Sequence, residues 1–119
     1  MTPKNILIVE DDDAIRETLR LTLELEGYVV ATASNGKEGL EVLSKMLNPC
    51  LVLLDLMMPV MDGWEFVETL ESNNTSPTVP VVVVTAFAEK VRTMPRAKSV
   101  IKKPIDLEVL IETVKRYCD

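Results

Sequence analysis

Leu51-Val52-Leu53-Leu54-Asp55 is an unbroken apolar run that stops on a carboxylate, and three other runs in the chain end in a comparable way. Ile6-Leu7-Ile8-Val9 leads into Glu10-Asp11, Val81-Val82-Val83-Val84 into Thr85, and Val100-Ile101 into Lys102-Lys103-Pro104. Short continuous apolar runs fit strands buried on both faces, which belong to parallel sheets covered by helices. If the four runs are neighbouring parallel strands, their carboxyl ends bring an acidic cluster, a hydroxyl and an ammonium to one edge. That edge is where open α/β sheets bind ligands.

The intervening segments have helical spacing. From Asp13 to Glu26 the apolar residues Ile15, Leu19 and Leu23 recur one turn apart, with Asp13 placed to cap the start and Gly27 to stop the end. Leu40, Leu43 and Leu47 mark a second helix after an Asn35-Gly36 turn, ended by Asn48-Pro49. A third helix is expected from Gly63 to Glu71, after a loop over Leu56–Asp62. A last one begins after Asp106 and places Leu107, Leu110, Ile111 and Val114 on one face. The strands expected between them are Asn5–Glu10, Tyr28–Ala33, Leu51–Asp55, Pro80–Thr85 and Ser99–Lys102. Ser72–Pro80 reads as a surface loop. Ala86–Lys98 is the least regular stretch; Pro95 cannot donate a backbone hydrogen bond, so a short or irregular fourth helix, over about Ala88–Met94, is expected there. Strand and helix in alternation predict an α/β fold, a doubly wound five-stranded parallel sheet with right-handed crossovers.

At 119 residues, the chain has material for one core and one domain, residues 1–119. Its formal net charge of −6 disfavours contact with nucleic acid or anionic membrane. No apolar stretch is long enough to span a bilayer and no signal-peptide pattern opens the chain, so a cytoplasmic location is the default. Cys50 and Cys118 lack metal-ligand spacing and read as free, packed thiols. There is no histidine, which removes imidazole catalysis and imidazole metal ligation.

Each charged position has an ordinary reading on its own: Asp55 as a turn cap, Glu10–Asp13 as a solvated helix start, Thr85 as a β-branched strand residue, Lys103 as a surface lysine. The convergence of Glu10, Asp11 and Asp55 changes the balance. Two like charges about 5 Å apart repel by roughly 3 kcal/mol at an effective dielectric of 20, and a hard divalent cation with oxygen ligands removes most of that cost. Asp55 can then act as a nucleophile towards a phosphoryl group, with the Thr85 hydroxyl as a donor and the Lys103 ammonium as counter-charge.

Taken together, Ile6–Asp11, the stretch Asp55-Leu56-Met57-Met58-Pro59-Val60-Met61-Asp62-Gly63, Thr85-Ala86 and Lys103-Pro104 make the chain resemble the receiver domain of two-component response regulators, of the single-domain chemotaxis type, over essentially its whole length. The resemblance implies a flavodoxin-like fold and phosphorylation of Asp55 from a phosphohistidine on a sensor histidine kinase or histidine phosphotransfer protein. It implies Mg²⁺ held by Asp11, Asp55 and the backbone carbonyl of Met57, with Glu10 acting through water, and Thr85 and Lys103 turned towards the phosphoryl group. A downstream protein target would read the result, with no direct contact to nucleic acid or membrane. Val100 stands where the family often carries an aromatic residue, with Phe87 as a substitute, and the stretch between Thr85 and Lys103 is about one helical turn (roughly four residues) shorter than the family pattern. The alternative is a pseudo-receiver, a protein-binding module that does not cycle phosphate. An aspartate-nucleophile phosphatase fits less well, because Met57 occupies the place of the acid/base carboxylate such enzymes use; the reading is of a signalling domain, not an enzyme.

Overall fold

The structure, a computed structural model, describes residues 4–73, 79–87 and 97–119. Five strands form one parallel sheet: β1 (Asn5–Val9), β2 (Val29–Ala33), β3 (Pro49–Leu54), β4 (Val81–Thr85) and β5 (Ala97–Lys102), in the order β2-β1-β3-β4-β5. Four helices are described: α1 (Asp13–Leu25), α2 (Gly36–Lys45), α3 (Gly63–Asn73) and α4 (Leu107–Cys118). This is the doubly wound parallel sheet expected from the alternation of patterns, in the flavodoxin-like order that the resemblance implies. The stretch read as a short or irregular helix, Ala88–Met94, lies outside the described residues.

The period of two along each strand divides the apolar residues between two cores. Leu7, Val9, Val52, Leu54, Val81 and Val83 face one side, where they meet Phe66, Val67 and Leu70 of α3 and Leu43 of α2. Ile6, Ile8, Leu51, Leu53, Val82 and Val84 face the other, against Leu19 and Leu23 of α1 and Leu110 and Val114 of α4. Because both faces of β1, β3 and β4 are covered, their runs need no polar residue until they leave the sheet.

Caps set the helix limits. Asp12, not Asp13, caps α1: its backbone is extended and its carboxylate accepts the Ile15 amide at 2.9 Å, while Asp13 is already helical and pairs with Arg16. Three acids in a row leave the capping position open by one residue, and the backbone decides it. At the other end Gly27 has φ +95°, its amide bonds Glu24 O and the Tyr28 amide bonds Leu23 O, a paired closure that needs a left-handed residue. Asn35 does not form a free turn with Gly36; it caps α2 by accepting the Glu38 amide. α2 stops at Lys45, so Leu47 falls outside it and is 79 % exposed, whereas the pattern had placed it on the helix. On α4, capped by Asp106 as expected, Leu110 and Val114 are buried but Leu107 is 40 % exposed.

The cysteines are the clearest correction. Cys50 and Cys118 are not separate thiols; they form a disulfide between β3 and the end of α4, with Cα atoms 5.3 Å apart. Their separation of 68 residues conceals a proximity that only the crossover topology creates.

Phe66 is fully buried at the centre of the first core, while Leu25 at the end of α1 is 86 % exposed. Phe66→Ala is expected to cost about 3–5 kcal/mol of unfolding free energy, and Leu25→Ala to stay within about 0.5 kcal/mol of the parent, both read from urea denaturation. Equal costs for the two would contradict this core assignment.

Candidate functional site

Three of the strands, β1, β3 and β5, hand their next residue to the same place at the carboxyl edge, and each residue is fixed there by its backbone. Glu10 follows β1 and its amide bonds Ala33 O of β2 at 3.0 Å. Asp55 follows β3 and its amide bonds Val9 O of β1 at 3.0 Å. Lys103 follows β5 and its amide bonds Thr85 O of β4 at 2.9 Å. The ladder therefore continues one residue past the strands and sets the positions of all three side chains relative to the sheet.

The side chains converge. One carboxylate oxygen from each of Glu10, Asp11 and Asp55 lies within 4.8 Å of the other two. Glu10 and Asp55 are buried; Asp11 faces solvent. The Lys103 ammonium is 2.8 Å from Glu10 Oε1 and 3.5 Å from Asp55 Oδ2, so it pairs more closely with Glu10 than with Asp55. Glu10 Oε2 accepts the Asp12 amide at 3.1 Å. The contact of Glu10 Oε1 with Lys103 is ionic but lacks hydrogen-bond directionality, which leaves that buried oxygen without a directed donor.

The charge count explains the electrostatics. Burial, then the adjacent Glu10 carboxylate, push Asp55 up to about 7, against the pull of Lys103. Burial opposes the charge on Lys103, but Glu10 and Asp55 together carry its pKa above the ordinary lysine value. Three carboxylates face one ammonium, a residual charge of about −2 when all are ionised. Hard oxygen donors at short mutual range and an excess of negative charge are together what a small divalent cation requires. Soft donors are not part of the cluster.

Of the residues selected from sequence, Glu10, Asp11, Asp55 and Lys103 are brought together. Thr85 ends the neighbouring strand β4, fully buried, and its hydroxyl oxygen accepts the Phe87 amide at 3.0 Å. That bond uses a lone pair and leaves the hydroxyl proton available. Val100 is partly exposed on β5, one of the two edge strands. Met57 is tied to the site by its amide, 3.4 Å from Asp55 Oδ1, and its side chain is half exposed.

Two supports were not visible in the sequence. Arg16, on the first turn of α1, donates to Glu10 O at 2.9 Å and braces the acidic loop from below. Gly36, at the start of α2, donates to Met61 O at 2.9 Å, and a Cβ there would stand 2.7 Å from that oxygen. The loop it supports turns tightly at Val60, with φ +69° and the Met61 amide on Pro59 O at 2.7 Å. Neither a lysine-like spacing nor an apolar period signals such contacts; the Gly at position 36 was the one available hint.

Residues 6–115 match the family model of the response regulator receiver domain. The chain is 34 % identical over 120 residues to the polar-differentiation response regulator DivK of Brucella anthropi, covering 97 % of this chain and 96 % of DivK. Among solved structures it is similar to a CheY-like response regulator receiver domain protein of Methanospirillum hungatei, with TM-score 0.85 and 32 % identity over 97 % of this chain and 93 % of that one. It is also similar to the response regulator TrrA of Thermotoga maritima, solved in complex with Mg²⁺-BeF, with TM-score 0.81 and 32 % identity over 96 % and 98 % of the two chains. An acidic edge built on a β2-β1-β3-β4-β5 sheet, and a family match across nearly all of its length, make this chain a response regulator receiver domain.

Proposed function

We propose that the domain accepts a phosphoryl group on Asp55 from a phosphohistidine of a partner protein, in a Mg²⁺-dependent reaction, and that the acyl phosphate alters the surface offered to a downstream protein. The observation that carries this reading is the convergence of the Glu10, Asp11 and Asp55 carboxylates beside the Lys103 ammonium. Receiver domains as a family work with histidine kinases and downstream targets; the partners of this one are identified only by that chemistry. Among the described residues no helix is long and apolar enough to cross a membrane, which is compatible with action in the cytoplasm.

In this mechanism an ionised Asp55 oxygen attacks the phosphorus as the bond to the donor imidazole nitrogen breaks, and the leaving imidazole departs with the electron pair. Asp55 must first lose its proton, which its raised pKa opposes. Asp11 and Asp55, with the carbonyl of Met57 and with Glu10 through water, would hold Mg²⁺; when bound it supplies positive charge that favours the ionised nucleophile and the transferring oxygens. Lys103 already sits between Glu10 and Asp55, so it meets the new phosphoryl oxygens with little reorganisation. Thr85 donates its free hydroxyl proton to one of them. Glu10, Asp55 and Thr85 are buried beside these groups, so interaction energy differs between the free and phosphorylated forms, and only such a difference shifts a conformational equilibrium.

The direct test is incubation with acetyl phosphate and Mg²⁺, followed by mass measurement. The parent is expected to gain one phosphoryl group, and neither Asp55→Asn nor an EDTA-treated sample gains it. A parent that never gains mass would instead favour a binding module that does not cycle phosphate.

The sign of the Asp55 shift makes the stability of the domain depend on pH. Its pKa is higher folded than unfolded, so between pH 4 and 7 the folded form holds a proton that the unfolded chain releases. This group's contribution to stability in metal-free buffer therefore falls as pH rises through that window. Asp55→Asn is expected to unfold at higher denaturant than the parent at pH 8 without Mg²⁺, by about 1–2 kcal/mol. The advantage should shrink at pH 4 and when Mg²⁺ is added to the parent.

A further inference from the structure

The disulfide lies at the opposite end of β3 from Asp55, and the local backbone is shaped to make it. Strict alternation along β3 would send Cys50 to the side of Val52 and Leu54, the face covered by α2 and α3. Cys50 instead packs with Leu51 and Leu53 on the face covered by α1 and α4. The cause is a bulge. Asn5 pairs with Pro49 and Ile6 with Leu51, so Cys50 is the extra residue between two ladder positions. A bulge re-aims one side chain, and this one turns Cys50 towards α4. Asn48, with φ +48°, provides the left-handed step that brings the chain into this start.

The other partner closes α4. Cys118 is the last residue of that helix and is 9 % exposed. Around it the helix end is held by weaker links. Asp119 accepts Lys4 Nζ at 2.9 Å and the Tyr28 hydroxyl at 3.1 Å, and Lys115 reaches Glu26 at 3.5 Å. These ionic contacts are exposed, and exposed pairs hold little. Ser99 Oγ of β5 also lies 2.8 Å from the Tyr117 hydroxyl, and Val114 and Tyr117 pack against the core; the disulfide is the covalent link between this helix end and the sheet, and a two-electron reaction adds or removes it.

We propose that Cys50 and Cys118 form a reversible thiol–disulfide site, a redox-controlled staple that pins the last turn of α4 when oxidised and frees it when reduced. The co-reactants are small-molecule disulfides and thiols of the glutathione class. Cys50, the more exposed of the two, loses its proton and attacks a sulfur of the oxidised small molecule, expelling one thiolate and forming a mixed disulfide. Cys118 loses its proton and attacks Cys50 Sγ, expelling the second thiolate. The two protein thiols are oxidised, the small-molecule disulfide is reduced to two thiols, and reduction runs the same steps backwards. The inference stands apart from the chemistry proposed at Asp55.

The test uses the full chain in glutathione buffers of increasing oxidised-to-reduced ratio, acid-quenched, alkylated and weighed, with hydrogen exchange measured at both extremes. The expected result is two alkylated thiols at the reducing end and none at the oxidising end, in a monomer. On oxidation, amide exchange in residues 114–119 slows by about tenfold or more. The thermal midpoint rises by roughly fifteen degrees, as a closed loop of this length implies. Cys50→Ser shows neither response, and the parent compared with itself in the two buffers gives the same answer should that variant fold poorly. The proposal is overturned by thiols that alkylate at every ratio, by a glutathione adduct or cross-linked dimer as end point, by unchanged exchange on oxidation, or by a bond that resists reduction until the chain unfolds.

Discussion

The arrangement depends on holding three carboxylates together against their own repulsion. Glu10 and Asp55 are buried with a single ammonium between them, and Asp11 adds its charge from the rim. Locally only the Asp12 and Met57 amides favour that arrangement, each by one bond to a neighbouring carboxylate. It is imposed by the sheet, whose ladder extends to the Glu10, Asp55 and Lys103 amides and so fixes where their side chains begin. The apolar layers on both faces stabilise the sheet, and part of that stabilisation offsets the cost of the acidic edge. A site strained in this way responds strongly to added positive charge or to conversion of one carboxylate into another group, which is the property a switch needs.

Lys103 joins the two halves of this economy. Its pairing with Glu10 is tighter than with Asp55, so the ammonium stays in place whether or not Asp55 is ionised. Glu10 is thus more than a distant ligand. It positions the lysine, and it is also the second contributor, after burial, to the raised Asp55 pKa. The same carboxylate discourages ionisation of Asp55 and stations the counter-charge beside it.

Much of this was legible in the sequence because it follows from period and punctuation. Continuous runs such as Val81–Val84 declare doubly covered strands, and the residues that end them declare the edge. What was hidden depended on backbone detail or on contacts distant in sequence. The choice of Asp12 over Asp13 as cap turns on one dihedral angle. The Cys50–Cys118 pair arises from a one-residue bulge and a crossover, neither of which composition records. Reading the cysteines as separate thiols followed from cytosolic chemistry, and topology overruled it. Arg16 under Glu10 and Gly36 against Met61 are likewise consequences of packing two helices beside the edge.

These hidden contacts share a direction. Gly36 ties the loop after β3 to α2, Arg16 ties the loop after β1 to α1, and Asp106 starts α4 three residues beyond Lys103. Each charged side chain at the edge is therefore one short segment away from a different helix on the surface. A change of charge at Asp55 alters forces on Lys103, on the β1 loop and on the β3 loop at once; the β3 loop reaches α2 through a backbone bond at Gly36, and the β1 loop reaches α1 through the Arg16 side chain. Interdigitated cores resist small continuous shifts, so the surface should respond as discrete alternative packings. The helix with its far end fastened to the sheet, α4, is then the one whose response has a second, independent constraint.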